Sequence, residues 1–525
     1  MKINVTGFDG PLARATRAEL ERRGHAIGES GATCAIFFPG PRETLARLVQ
    51  DGGLDRLVLR SHAFAYGSNT KNPGLMTEDR ISLLPEKAPE QRWLELEALT
   101  SRHPNSAAVR FANVLHPDEG DVLVRQISSR IGISIAGNDP NVQFIGLDDA
   151  ARAMAAAAES RATGIFNAAG TGTVPLKKVF RASAASRLAL PKPLAQRFAG
   201  GDSIDQLQYN WTVSGDRAAR ELGFEPKQTS VEALQAFLKT PAGRLREKYD
   251  HWGLDLDYIR AWSGWFSFLR NVYWRIDYEG TENIPDSGRG LFVTSHRGFM
   301  PLDAVMHLAI VLKERNRVIR FLIISSLLRT PFLCNFLTKL GGVIACQENA
   351  ERLFAEDNLV GIFPEGIRGA FTPYRKAYTL RDFAKGAFAK IAIENQTPVI
   401  PAAVVGHAEI FPILGRIDSE FVKKELGWPY LPIAPMFPLA PIPIPSKWHI
   451  RYLPAVSLGG LKPADAENTR LVREFSHYIQ NIIQKNTDDM VKRRKHIFFG
   501  RVLDGTSMPV QPFEWPLRRA AGEPA

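Results

Sequence analysis

Two side chains in this sequence are of the right type and spacing to move a proton. His296 and Asp303 stand seven residues apart in GLFVTSHRGFMPLDAVMHLAIVL (290–312). A carboxylate bonded to one imidazole nitrogen fixes the tautomer and raises the basicity of the other, which can then take a proton from a hydroxyl. A second pattern lies at the start of the chain, where Gly7, Gly10 and Ala13 follow the apolar run KINVT (2–6). Small residues at that spacing permit a tight turn, close approach of the backbone to a pyrophosphate, and helix–strand packing. No comparable pattern points to a metal. Cys34, Cys334 and Cys346 are the only cysteines, too few and too scattered for a disulfide framework or a Cys-based zinc site.

The elements that must position these residues are legible from periodicity. LFVTS reads as a strand, Pro301 suits the first turn of a helix, and that helix carries Asp303 on through Val311. His296 then falls in the strand-to-helix loop, where the helix can fold the carboxylate back towards it. In the first half, KINVT, CAIFFPG and DRLVLRS are strand-like. Between them stand a helix running to about Arg23 and the helical stretch RETLARLVQDGG. Such alternation implies a parallel sheet and an α/β class. After LQAFLKTPAG the pattern breaks, and a candidate linker runs over about 240–252. The next segment places Tyr258, Ile259, Trp262, Trp265, Phe266, Leu269, Val272 and Tyr273 on one helical stripe, with Arg260 and Arg270 opposite. Its tryptophans and flanking arginines suit either a headgroup layer or packing on the following domain. The expected organisation is a first α/β domain over 1–240, linker and amphipathic helix over 241–280, a second α/β domain over 281–490, and a basic segment and tail over 491–525.

Composition narrows the partners. The 525 residues are 45% hydrophobic and 23% charged, with a net charge of +11, which is a globular chain and excludes disordered or fibrous classes. Residues 1–240 hold 29 basic and 26 acidic side chains and the remainder 37 and 29, so most of the excess is C-terminal. Part of it is the run Lys492–Lys495, followed at once by Ile497, Phe498 and Phe499, an arrangement suited to an anionic lipid surface. No zinc-finger or RNA-recognition pattern favours nucleic acid. The start lacks a signal-peptide pattern, and no run of 18 apolar residues is free of charges and prolines. Two segments are nonetheless very apolar: FLIISSLLRTPFLCNFL (321–337), and WPYLPIAPMFPLAPIPIP (428–445), with a proline at every third position from Pro429 to Pro441, the polyproline II period. Both are expected to serve access to lipid.

Four blocks in the second half carry a family resemblance. They are His296 with Asp303, Gly341-Gly342, Phe363-Pro364-Glu365-Gly366 with Arg368, and Pro398-Val399-Ile400-Pro401. In order and spacing this half resembles the lysophospholipid/glycerolipid acyltransferase family. The six residues between His and Asp, where four are common, look like the branch near mono- and diacylglycerol acyltransferases. The resemblance implies an α/β acyltransferase domain in which Asp303 orients His296 to deprotonate an acceptor hydroxyl. Backbone amides near Gly298 or Gly366 would meet the oxyanion, Arg368 and Lys385 would meet phosphate, and Glu365 would fix Arg368 or an acceptor hydroxyl. It requires no metal or redox cofactor, and its co-substrate is acyl-CoA or acyl-carrier protein.

The first half resembles NAD-dependent epimerase/dehydratases of the extended short-chain dehydrogenase/reductase family. The likeness runs through RLVLRSHAFAYG, AVRFANVLHP, FIGLDDAARAMAAAAE, TGIFNAAGTGTVPLKKVF and RAARELGFEP. It implies a Rossmann-like doubly wound sheet with Gly7, Gly10 and Ala13 as vestiges of the cofactor turn. The family's Tyr-x-x-x-Lys pair is missing from APEQRWLELEALT (88–100), His62 stands where a Ser or Thr is usual, and about ten residues separate Gly24 from CAIFF. These departures weigh against NAD(P) binding. The expected protein is a cytoplasmic, peripherally membrane-associated O-acyltransferase acting on a glycerolipid or phospholipid hydroxyl. Alternatives are a bifunctional protein with an active oxidoreductase half, or a lipid-binding scaffold without turnover.

Overall fold

The structure, a computed structural model, describes residues 1–505 apart from 87, 89, 184, 199–200, 240–248, 384–385, 441 and 459. Most of the candidate linker and Lys385 lie outside the described residues. The chain divides into two compact units, Met1–Asp255 with Leu328–Thr338, and Leu256–Leu327 with Lys339–Ala525.

In the first unit, strands β1 (Lys2–Gly7), β2 (Ala26–Ile27), β3 (Cys34–Phe38), β4 (Arg56–His62), β5 (Ser106–Phe111) and β6 (Gly164–Ala168) form an all-parallel sheet in the order β6-β5-β4-β3-β1-β2. Every residue of β3 and β4 is buried, as expected of parallel strands covered on both faces. Helices α1 (Pro11–Arg22), α2 (Arg42–Gln50), α3 (Gln91–Thr100) and α4 (Leu147–Glu159) make the crossovers. The buried face of α4 is almost all alanine, from Ala150 to Ala158, which lets this helix lie close upon α1 and the sheet. The strand order reverses between β1 and β3, the switch point of a doubly wound fold. The short spacing after Gly24 has a structural counterpart: β2 is only two residues long, and among the described residues no strand lies outside it in this sheet.

The apolar segment 321–337 does not behave as one lipid-reaching element. Its start completes a core strand of the second unit, while Leu328–Thr338 packs within the first unit. There the Phe332 amide and the Asn335 side chain both donate to the Gly137 carbonyl, at 2.9 and 2.7 Å. Gly137 has φ +82°, and a Cβ at that position would stand 2.5 Å from Pro331, so glycine is required at this contact.

The second unit holds a seven-stranded sheet of β7 (Asp277–Glu279), β8 (Gly290–Thr294), β9 (Ile319–Ile323), β10 (Val343–Ile344), β11 (Leu359–Ile362), β12 (Val399–Val405) and β13 (His449–Tyr452). Their order is β7-β13-β12-β8-β11-β9-β10. All neighbours are parallel except β12 and β13, and the fully buried β8 lies at the centre. Around it lie α5 (Leu256–Phe268), α6 (Leu302–Arg315), α7 (Gln347–Ala355), α8 (Ala387–Glu394) and α9 (Thr469–Arg493). The Asn468 side chain caps α9, accepting from Arg470 and Leu471 amides, and Leu471, Phe475, Ile479 and Ile483 recur at four-residue intervals on its buried face.

Three expectations need correcting. The aromatic stripe of α5 splits: Ile259 and Phe266 turn inward while Trp265, Phe268 and Val272 stay exposed. A π-turn over Leu269–Tyr273 adds a residue to the register, and Arg270, expected on the polar side, is buried. The proline-rich segment is no continuous polyproline II helix, because Leu431–Ile433 pairs antiparallel with Gly415–Ile417 and ladder bonds displace the unpaired conformation. One member of the basic run is spent inside the fold: Arg494 is held by Glu409 at 2.6 Å, while Arg493, paired with Asp489 at 2.9 Å, stays exposed with Lys492 and Lys495. No helix among the described residues is long and apolar enough to cross a membrane.

Candidate active site

Strand β8 ends at Thr294, and the next two residues bring His296 to the carboxyl edge of the sheet. Gly298 (φ +79°) reverses the chain, Pro301 caps α6, and Asp303 stands in the first turn of that helix, back against the loop. His296 Nδ1 lies 2.7 Å from Asp303 Oδ2. The same carboxylate accepts from the Arg297 amide at 3.2 Å and, through Oδ1, from the Ala304 amide at 2.9 Å. Asp303 is fully buried, which opposes its charge, yet the charge attraction and hydrogen bond of His296 hold its carboxyl below the ordinary range. His296 is 12% exposed, its ring tilted against Phe363 at 4.7 Å, and its Nε2 has no partner among the described residues. This is the geometry of an oriented general base.

Two further histidines surround the carboxylate. His307 sits one helical turn after Asp303 on α6, a spacing visible in the sequence, and donates to or accepts from Tyr452 Oη at 3.1 Å. His407, 3.4 Å from the Ser295 hydroxyl, follows β12, and nothing in the sequence ties it to the site. Burial pushes His307 down to about 4 and His407 down to about 3, so both are neutral near pH 7.

Arg297, next to the base, is another residue that motif reading missed. It is 1% exposed and grips Glu365 with two bonds, Nη1 to Oε2 at 2.6 Å and Nη2 to Oε1 at 3.0 Å. It also donates to the carbonyls of His296 (2.7 Å), Ala377 (2.6 Å) and Thr379 (3.2 Å). Glu365 additionally accepts from the Arg381 amide at 2.7 Å. Glu365 is therefore tied to Arg297 and not to Arg368, because a fully enclosed guanidinium demands a carboxylate. The pair staples the Phe363–Gly366 turn to the His296 loop. Of the two glycine amides suggested for an oxyanion, that of Gly366 is spent on the Phe363 carbonyl at 2.9 Å, whereas that of Gly298 has no partner among the described residues. Arg368 is exposed on the short helix Gly366–Ala370 and lines a cavity of about 810 Å³ with Pro364, Glu365, Gly366, Lys376 and Arg381. Phe363, in contact with His296, leads directly into that wall.

In the first unit, Gly7 (φ +99°) ends β1 against the Phe38 carbonyl, Gly10 precedes α1, and Ala13 is buried in its first turn. The amide of Leu12, which would face a phosphate at this helix start, donates instead to Glu119 Oε1 at 2.7 Å. A Cβ on Gly10 would meet the Phe8 ring at 2.6 Å and Glu119 at 3.1 Å, so this approach is covered by the chain's own side chains. His62 lies between Trp93 and Trp211, with Nε2 on Asp121 at 2.8 Å and Nδ1 accepting from the Phe64 amide at 2.9 Å. The Tyr66 phenol is bound to Asn167 at 2.9 Å, and burial pushes its pKa up, opposite to what a catalytic phenolate needs.

A family model described as Acyltransferase matches residues 275–405. The chain is 30% identical over 299 residues to an uncharacterized protein of Mycobacterium leprae, the match covering 55% of this chain and 79% of that relative. With an uncharacterized protein of Mycobacterium tuberculosis it shares 31% identity over 239 residues, 44% of this chain and 66% of the relative. Among solved structures, the UDP-N-acetylglucosamine 4-epimerase of Bacillus cereus aligns at 14% identity and a TM-score of 0.36, covering 46% of this chain and 98% of that one. The UDP-glucose 4-epimerase of Thermotoga maritima gives 15% identity and 0.36 over the same shares.

Proposed function

This chain belongs to the acyltransferase family, and from that premise we propose that it is a peripheral membrane O-acyltransferase on the cytoplasmic side, acylating a glycerolipid or phospholipid hydroxyl. The observation that carries the reading is the His296–Asp303 bond with a free Nε2 beside the stapled Phe363–Gly366 turn. Asp303 accepts from Nδ1–H and fixes the tautomer. His296 Nε2 takes the acceptor's hydroxyl proton as the oxygen attacks the carbonyl of an acyl-CoA or acyl-carrier-protein thioester. The Gly298 amide donates to the oxyanion of the tetrahedral intermediate. Collapse breaks the carbon–sulfur bond, and the departing thiolate takes the proton from Nε2, giving an ester and a free thiol. Arg368 meets phosphate on the lipid side of the cavity.

Contact with a bilayer is supported by exposed apolar side chains on the second unit: Phe421, two residues from Lys423, is 72% exposed, and Leu439 is 96% exposed. The first unit contributes no redox step. Glu119 and Phe8 occupy the phosphate approach, β2 is too short to build an adenine pocket, and no Tyr-x-x-x-Lys pair is present, so its residues do not fit NAD(P). In vesicles containing lysophospholipid and acyl-CoA, His296→Ala and Asp303→Asn are expected to lower kcat by about 10²–10⁴-fold with unchanged circular dichroism and Tm. Wild-type turnover in His296→Ala would overturn the assignment.

A further inference from the structure

Arg56, Arg60 and Arg110 are buried on the neighbouring strands β4 and β5 of the first unit, and the fold satisfies two of them. Arg56 donates twice to the Ala157 carbonyl, at 3.0 and 2.7 Å, and Arg110 grips Glu97 with bonds of 2.8 and 2.6 Å. Arg60 is the exception. It is 5% exposed, its guanidinium stands 5.1 Å from the Trp93 ring, and its Nη2 is buried without a hydrogen bond. Glu119 Oε2 lies 3.8 Å from that nitrogen, too far for a hydrogen bond, and Glu119 Oε1 is taken by the Leu12 amide. A guanidinium out of water without hydrogen bonds lowers stability until an anion meets it. Arg60 lines a cavity of about 490 Å³ whose other walls include the residues that follow β1 and β3. Two more side chains of that cavity lack partners. Gln206 is 7% exposed with Oε1 buried and unbonded, and the Glu90 carboxylate, 8% exposed, makes no hydrogen bond or ion pair among the described residues. Asp121, also on the wall, is held by His62 at 2.8 Å and by the Val114 amide at 2.7 Å, while Arg92 and Arg125 line the cavity from exposed positions.

We infer that this cavity binds a small hydroxylated organic anion, with its phosphate or carboxylate on Arg60 and its hydroxyls on Gln206 Oε1 and Glu90. The unmet groups are one charged donor and two acceptors, so their complement is a molecule with an anionic end and O–H hydrogens. A bare anion matches only Arg60, because the Glu90 carboxylate repels it and Gln206 Oε1 needs a donor. A dinucleotide does not match either, since Glu119 and Phe8 cover the turn at Gly10 where a pyrophosphate would lie. The volume falls within the range of about 300–1,000 Å³ usual for small-molecule sites. This gives the first unit a binding role that needs no redox chemistry.

The test is calorimetric titration of the full chain, at fixed ionic strength, with glucose 6-phosphate, gluconate, glucose and inorganic phosphate. At least one of the two hydroxylated anions is expected to bind about tenfold more tightly than glucose or inorganic phosphate, and the tighter of the two identifies the anionic group. Arg60→Met should weaken that anion about 10–100-fold, the worth of a hydrogen bond to a charged group. Without ligand its Tm should stay level or rise, because an unmatched buried charge is gone, and the anion should raise Tm in the wild type alone. Gln206→Leu should weaken the hydroxylated anion about 3–10-fold and leave inorganic phosphate unaffected. Arg125→Gln changes an exposed side chain and so preserves the fold, and it should weaken the anions about threefold. A marked fall in the ligand-free Tm of Arg60→Met, with neither anion binding the wild type at millimolar concentration, would show that Arg60 is spent on Glu119 and overturn the inference. Binding indifferent to both Arg60→Met and Arg125→Gln would overturn it too. Inorganic phosphate as tight as glucose 6-phosphate, or NADH displacing the bound anion, would do the same.

Discussion

Glu365→Gln tests whether the Arg297–Glu365 pair is a staple or a substrate contact. The substitution keeps the side-chain volume and one oxygen, so the bond from the Arg381 amide can survive. It removes the charge and turns an amide group towards Arg297 Nη1, which now lies 2.6 Å from a carboxylate oxygen. With Arg297 at 1% exposure, water cannot replace the lost partner. Breaking a buried pair in this way costs about 3–5 kcal/mol. For a unit of this size each kcal/mol lowers Tm by about 2–4 °C, so a fall of roughly 10 °C is expected by scanning calorimetry. Acyl transfer measured well below that temperature should also drop, because Arg297 holds the carbonyl of His296. The double variant Arg297→Met with Glu365→Leu should regain much of the stability, since apolar replacement of a buried pair is often neutral. A change under about 1 kcal/mol in Glu365→Gln, with a raised acceptor KM, would refute the staple and make Glu365 a binding residue.

Two other outcomes follow from the buried groups. His307 and His407 bind no proton in the folded chain until about pH 4 and about pH 3, whereas unfolded imidazoles protonate near 6.5. The unfolded state therefore holds more protons in this window, and stability should fall as pH drops from about 6.5 to about 4. Asp303, whose pKa is depressed, adds a loss only below its ordinary 3.8. Denaturant titrations of His307→Gln should show a slope about one proton shallower, and an unchanged slope would remove His307 from this account. Fluorescence titration of the full chain with NADH should show no binding, and saturable energy transfer from tryptophan would restore a cofactor role to the first unit.

Some of this protein was fixed by local pattern. The strands KINVT, CAIFF, DRLVLRS and LFVTS are short apolar runs between turn residues, and each became a parallel strand, the last three buried throughout and the first at Ile3 and Val5. The His296–Asp303 pairing was legible because both lie on one strand–loop–helix connection, whose geometry depends on neighbours in the chain. The role of Glu365 was not, since its partner Arg297 is 68 residues away and only the packing of two loops joins them. His407 is more than a hundred residues from Asp303, and only the packing of β12 beside β8 brings the two together. At the N-terminus, Gly7, Gly10 and Ala13 gave the turn but not its content. Whether a helix start holds a phosphate or a carboxylate depends on what the rest of the fold brings there, and Glu119 comes from 107 residues away. Sequence alone determined the elements and the local dyad; tertiary structure decided which charges meet, because a buried charge is settled by its nearest partner in space and not in the chain.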